Sequence, residues 1–235
     1  MLTIIPDKAG FVLAVHHRLY QVYGSKIKYL YNRDPLSELV DTILSQRTKN
    51  KDSAQSFTNL IEQFGTWEKV RDAPVEAVLE AIRPSTWPEQ KAPRLQQILR
   101  LITERHGKLS LDFLAEMSVY DAREWLEKLP GVGPKSSAAT LSFSNMRARA
   151  LPVDSHHFRV AVRLNIIDAK IGEGKANRIL ENLLPASFTA KEVFDSHQVM
   201  MRHGQQVCFY YNPACAGCVL LDLCPTGQGL LDIKV

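Results

Sequence analysis

The first 207 residues contain no cysteine, so no disulfide can staple that part of the chain and its stability has to come from packing. No apolar run reaches transmembrane length, and near the start Pro6, Asp7 and Lys8 break the hydrophobic stretch that a signal peptide needs. The expectation is a cytoplasmic protein with no signal peptide, no membrane association and reduced thiols. Sustained apolar/polar alternation with β-branched enrichment is missing throughout, which argues against a sheet. Low-complexity segments and internal repeats are missing too. Neither sign of charge dominates: 29 Lys and Arg face 25 Asp and Glu, a formal net charge of +4. That balance suits a polyanionic partner without establishing one.

What is there reads as helices. With 235 residues, 45% of them hydrophobic, the chain can bury one substantial core or two smaller ones. Residues 7–23 place Phe11, Val12, Val15, Leu19 and Tyr20 on one helical face, leaving His16 and His17 as surface residues. PLSELVDTILSQRT opens with Pro35 at a helix start, carries Leu36, Leu39, Val40, Ile43 and Leu44 inward, and ends in a polar group. Residues 51–64 form a third helix with Ala54, Phe57, Leu60 and Ile61 inward, closed by Gly65. Short helices follow at 67–71 and 74–82, then PSTWPEQ interrupts. A longer basic helix runs to Gly107, and further helices cover 109–116, 119–127, the segment from Lys135, the segment after Asp154, and GEGKANRILENLLP and KEVFDSHQVMMRHGQQVCF. The fold class is all-α.

Three stretches carry chemistry. The four cysteines, Cys208, Cys215, Cys218 and Cys224, crowd into CFYYNPACAGCVLLDLC. Such a loop can surround one tetrahedral zinc ion or one [4Fe-4S] cube, and disulfides are the bland alternative. Only Cys215 and Cys218 form the close pair that zinc sites usually have twice, so the spacing leans toward the larger group. In LPGVGPKSSAATLSF, Gly131 and Gly133 allow a tight turn and Lys135 opens a helix whose free N–H groups suit a phosphate. A plain helix connection is the structural alternative. In LPVDSHHFRV, Asp154 stands where a helix N-cap belongs.

Together these stretches resemble the endonuclease III family of base-excision DNA glycosylases, within the helix-hairpin-helix superfamily. The likeness spans residues 10 to 226 and rests on LPGVGPK, PVDSHHFRV and C-x6-C-x2-C-x5-C in that order. It implies a six-helix barrel domain at 30–146 and an iron–sulfur domain from 1–29 and 147–228, flanking a DNA-binding cleft, with a tail at 229–235. It implies Lys135 as the attacking amine of a Schiff base, Asp154 as the catalytic carboxylate, and a [4Fe-4S] cluster on the four cysteines that shapes a DNA-facing basic loop. Gln46 would enter the space left by an extruded base, Trp87 would wedge into the stack, and His156 matches a position beside the aspartate. Gly131, Gly133, Lys91 and Arg94 would meet phosphates. In place of the family's glycine and tyrosine around that wedge stand Thr86 and Pro88.

The implied activity is a bifunctional glycosylase and AP lyase, a monomer acting on double-stranded DNA that carries an oxidised pyrimidine or an abasic site. Two alternatives stay open on sequence: a glycosylase for another base, such as 5-methylcytosine or a uracil or thymine mismatch, and a non-catalytic DNA-binding protein.

Overall fold

The structure is a computed structural model that describes residues 7–29 and 33–232. Among these the regular elements are twelve α-helices and short 3-10 turns, with no strand. The chain divides into two compact units, Leu30–Ala148 and the pair Met1–Tyr29 with Arg149–Val235.

In the first unit, α2 (Pro35–Ser45) is the buried axis, packed against α3 (Asn50–Phe64), α6 (Pro88–His106) and α8 (Pro134–Phe143). α4 (Trp67–Asp72), α5 (Val75–Ala81) and α7 (Val119–Glu127) complete it among the described residues. Asp34 starts α2 by accepting from the amides of Leu36 and Ser37, and Pro35 sits where no N–H is needed. Leu39, Ile43, Leu44, Leu60, Ile82, Leu95, Ile98, Leu99 and Ile102 are fully buried, each worth roughly 1.5–3 kcal/mol in transfer free energy.

The second unit contains α1 (Lys8–Tyr23), α9 (Ser155–Arg163), α10 (Gly172–Asn182), α11 (Ala190–Gln206) and α12 (Pro225–Leu230). α11 packs against both α1 and α9, and a complete capping box between Thr189 and Glu192 starts it. α12 packs on α9, so Gly229 and Leu230, expected in the tail, belong to a helix.

Several inward faces differ from the periodicity reading. In α3, Ser53, Ser56 and Leu60 are buried while Ala54 and Ile61 are exposed. The serines tolerate burial because their hydroxyls bond to carbonyls: Ser53 to Asn50, Ser56 to Asp52 and Ile82. In α1, Tyr20 is exposed and His16 is buried, its Nδ1 2.8 Å from Ser196 Oγ. Helix α6 begins at Pro88, inside the segment expected to interrupt.

Candidate functional site

The hairpin joins α7 to α8. Leu129 and Val132 are buried and pin the turn, which passes through Gly131 at φ +75°. There a side chain would strain the backbone and its Cβ would come within 2.7 Å of Arg94 Cδ. Gly133 is extended with open space beside it, so its need for glycine is not steric within this unit. No side chain caps α8 and Pro134 occupies its first position, so the next amides point outward at the positive end of the helix. Lys135 is half-buried in that first turn.

Gln46 is drawn into this hairpin: its Nε2 donates to the Gly131 carbonyl at 3.0 Å and lies 3.3 Å from Ser136 Oγ. Arg47, exposed in this loop as Lys49 also is, has a left-handed backbone (φ 53°) and forms no hydrogen bond or ion pair among the described residues. Sequence reasoning singled out Gln46 and passed over Arg47, because a polar helix end does not say which residue turns outward. Trp87 is half exposed, also with left-handed backbone (φ 56°, ψ 53°), at the start of α6.

Lys91, expected to meet phosphates, does something else. It is only 3% exposed, and its Nζ donates to the carbonyls of Leu44 (2.6 Å) and Gln46 (2.9 Å) and to Thr48 Oγ1 (2.8 Å). The ammonium caps the C-terminus of α2, where a cation is favoured. Burial, with Arg94 adding repulsion, pushes it down to about 8. Its donors are spent inside the protein.

Glu38, not singled out from the sequence, is buried on α2. Burial, then Asp41, push its carboxyl up to about 7 despite Arg33 at 3.8 Å and the charge of Lys135. A carboxyl in that state shares a proton with solvent near neutrality.

In the other unit, Asp154 caps α9, its Oδ1 accepting from the His157 amide at 2.8 Å. Burial raises this carboxyl, but His197, the His157 amide, His157 and His156 outweigh it and hold the group below the usual carboxylate range. His157 is itself pushed down to about 3 by burial and by His197, so near neutrality the amide bond is its lasting contribution. His156 is half-buried: its Nδ1 is 3.1 Å from Arg159 Nη2, and it packs so close that a Cβ at position 204 would lie 2.8 Å from its own. Gly204 is what lets α9 and α11 approach there.

All four cysteines line one cavity, together with Val160, Leu164, His203, Leu220 and Leu221. None is in a disulfide. No three His, Cys, Asp or Glu among the described residues are gathered tightly enough to hold a single metal ion. The sulfurs do receive donors: Arg163 Nη1 reaches Cys208 Sγ at 3.2 Å, the Leu220 amide Cys218 Sγ at 3.4 Å and the Gly227 amide Cys224 Sγ at 3.3 Å. Burial raises the thiols of Cys218 and Cys224, whereas such donors favour the thiolate that a metal would require. Apolar walls, four thiols on one cavity and N–H groups aimed at sulfur fit a thiolate-held group. The loop itself carries no Lys or Arg between Cys208 and Cys224, so it is not the basic loop that was expected. Its exposed side chains include Tyr210 and Tyr211, with Arg163 holding the Phe209 and Tyr210 carbonyls.

Comparison with known proteins agrees with this picture. Residues 40–186 match the HhH-GPD superfamily of base excision DNA repair proteins. Endonuclease III of Thermotoga maritima is 30% identical over 191 residues, covering 81% of this chain and 83% of the relative. Endonuclease III of Sulfolobus acidocaldarius is 25% identical over 194 residues, covering 82% of each. The fold matches that of a trapped endonuclease III–DNA covalent intermediate with a TM-score of 0.80, at 23% identity, over 95% of this chain and 98% of that one. By the extent of the superfamily match and the identity to the Thermotoga protein, the chain belongs to the endonuclease III family of the HhH-GPD superfamily.

Proposed function

We propose that the chain is a bifunctional DNA glycosylase and AP lyase that removes an oxidised pyrimidine from double-stranded DNA and cuts the resulting abasic strand. The observation that carries this reading is Lys135 in the first turn of α8, directly after a glycine turn with uncapped amides. Those amides suit a DNA phosphate, and the positive end of the helix disfavours the ammonium form of a lysine placed there.

In the proposed reaction the neutral Lys135 amine bonds to C1′ while the bond from C1′ to the base breaks and its electron pair leaves with the base. Asp154, ionised across the neutral range, stabilises positive charge on the sugar and accepts the proton the amine sheds. Opening of the sugar ring gives an imine. Loss of a C2′ proton and departure of the 3′ phosphate then cut the strand, and water releases the lysine. A binding protein would need neither group.

Cys208, Cys215, Cys218 and Cys224 would hold a [4Fe-4S] cluster. When bound, the cluster would supply a redox-capable centre and cross-link the loop from Cys208 to Cys224. Arg163 positions that loop, joining α9 to Cys208, Phe209 and Tyr210.

The test is a set of duplexes carrying thymine glycol, uracil, 5-methylcytosine or an abasic site, with iron measured on the same preparation. Incision of the thymine glycol and abasic duplexes is expected, with about four irons per chain. Salt-sensitive binding with no incision of any duplex would overturn the enzymatic reading in favour of a DNA-binding protein.

A further inference from the structure

Three exposed side chains of the first unit stand on left-handed backbone, Arg47, Trp87 and Arg147, and one buried network holds the first two. Thr48 Oγ1 accepts from Lys91 Nζ at 2.8 Å and from the Thr86 amide at 3.1 Å, and it donates to the Gln46 carbonyl at 3.2 Å. Lys91 reaches the Leu44 and Gln46 carbonyls as well, and its amide bonds back to the Trp87 carbonyl at 3.1 Å. The Thr48 hydroxyl therefore joins the two segments, bonding both to the Thr86 amide beside Trp87 and to the Lys91 ammonium, which in turn holds the carbonyl on the near side of Arg47. Gln46 extends the network to Gly131 of the hairpin. Left-handed backbone at an arginine and a tryptophan costs on the order of 1 kcal/mol each and persists only where the surroundings enforce it.

We propose that Lys91 is a positioning residue that presets Arg47 and Trp87 as one rigid element for engaging duplex DNA. This rests on the glycosylase reading of the chain and adds to it the residue that organises the duplex-reading loops. Arg47 offers a planar cation with no partner among the described residues and Trp87 a half-exposed ring, the two chemistries that suit base edges and a base stack. Setting their backbone before contact removes the cost of ordering two loops on binding. The ammonium itself touches no DNA.

The experiment compares wild type, Lys91→Met and Thr48→Val in two assays: binding to a duplex with a stable abasic analogue, and cleavage of a single-stranded abasic oligonucleotide. Single-stranded substrate has no stack to enter and no opposite base, so it reports on the amine chemistry alone. Lys91→Met is expected to weaken duplex binding by about tenfold or more and to leave single-strand cleavage within about twofold of wild type. Thr48→Val keeps both carbonyl acceptors of the ammonium and removes only the hydroxyl joining the loops, so it serves if Lys91→Met folds poorly. It should show the same contrast at smaller size. Equal losses in both assays would reduce Lys91 to a general structural role, and unchanged duplex binding in both variants would also overturn the proposal. A wild type that does not cleave the single-stranded abasic oligonucleotide would refute the lyase reading, and the duplex-binding contrast would still decide the role of Lys91.

Discussion

At the scale of single residues, burial decides more than residue type. Lys91 looks like a phosphate ligand in the sequence, a cation in a basic stretch, yet three oxygens of its own chain use its donors. Glu38 looks like an ordinary solvated carboxylate near a helix start, yet the packing of α2 encloses it. Neither fact can be read from spacing, because each depends on which other segments pack there. Asp154 is different: an N-cap is a local property, and the aspartate caps α9 as its place before the helix suggests. Glu38 leads to a pH-dependent expectation. Its carboxyl sits at about 7 when folded against an ordinary 4.5, so the folded state holds a proton that the unfolded chain has lost. The penalty is absent below the lower value, grows as pH rises between the two, and is complete above the upper one. Glu38→Gln should therefore raise stability at pH 8 by about 1–3 kcal/mol and change it little at pH 4. Urea unfolding at the two pH values measures this, and an equal effect at both would show that the folded carboxyl titrates normally.

At the scale of elements, helix existence was legible and helix orientation only partly so. The starts of α2 and α9 were marked by Pro35 and Asp154, and the ends of α3 and α6 by Gly65 and Gly107, both at positive φ. The buried face of α3 was misread because Ser53 and Ser56 take core positions that periodicity assigns to Ala54 and Ile61. A serine whose hydroxyl returns to the backbone of its own helix is cheap to bury. The hairpin was the most legible element, since Gly131 at positive φ and Pro134 at the helix start report backbone geometry directly, whereas Gly133 does not. Gly131→Ala tests that reading. The substitution forces a side chain onto positive φ and against Arg94, so it should cost at least about 1 kcal/mol of stability and weaken duplex binding along with it. Thermal unfolding alongside a binding titration checks both, and a variant with wild-type stability would show that the turn relaxes freely.

At the scale of the whole chain, the family is carried by three short motifs, and most of the remaining sequence serves to build the two units that present them. The cysteine motif was legible as a shared ligand set because its four thiols are local in sequence. The family resemblance implied a basic loop, but the absence of Lys and Arg between Cys208 and Cys224 is legible in the sequence itself, and only the exposure of Tyr210 and Tyr211 needed the structure. Lys135 and Asp154 belong to different units, and their partnership is argued from chemistry: an amine able to attack C1′ and a carboxylate held ionised to assist it. The most direct check is borohydride trapping of the chain on a duplex with a single abasic site. Wild type is expected to give a covalent protein–DNA adduct and Lys135→Ala none, while still binding the duplex. An adduct of undiminished yield in Lys135→Ala would place the nucleophile elsewhere and contradict the account.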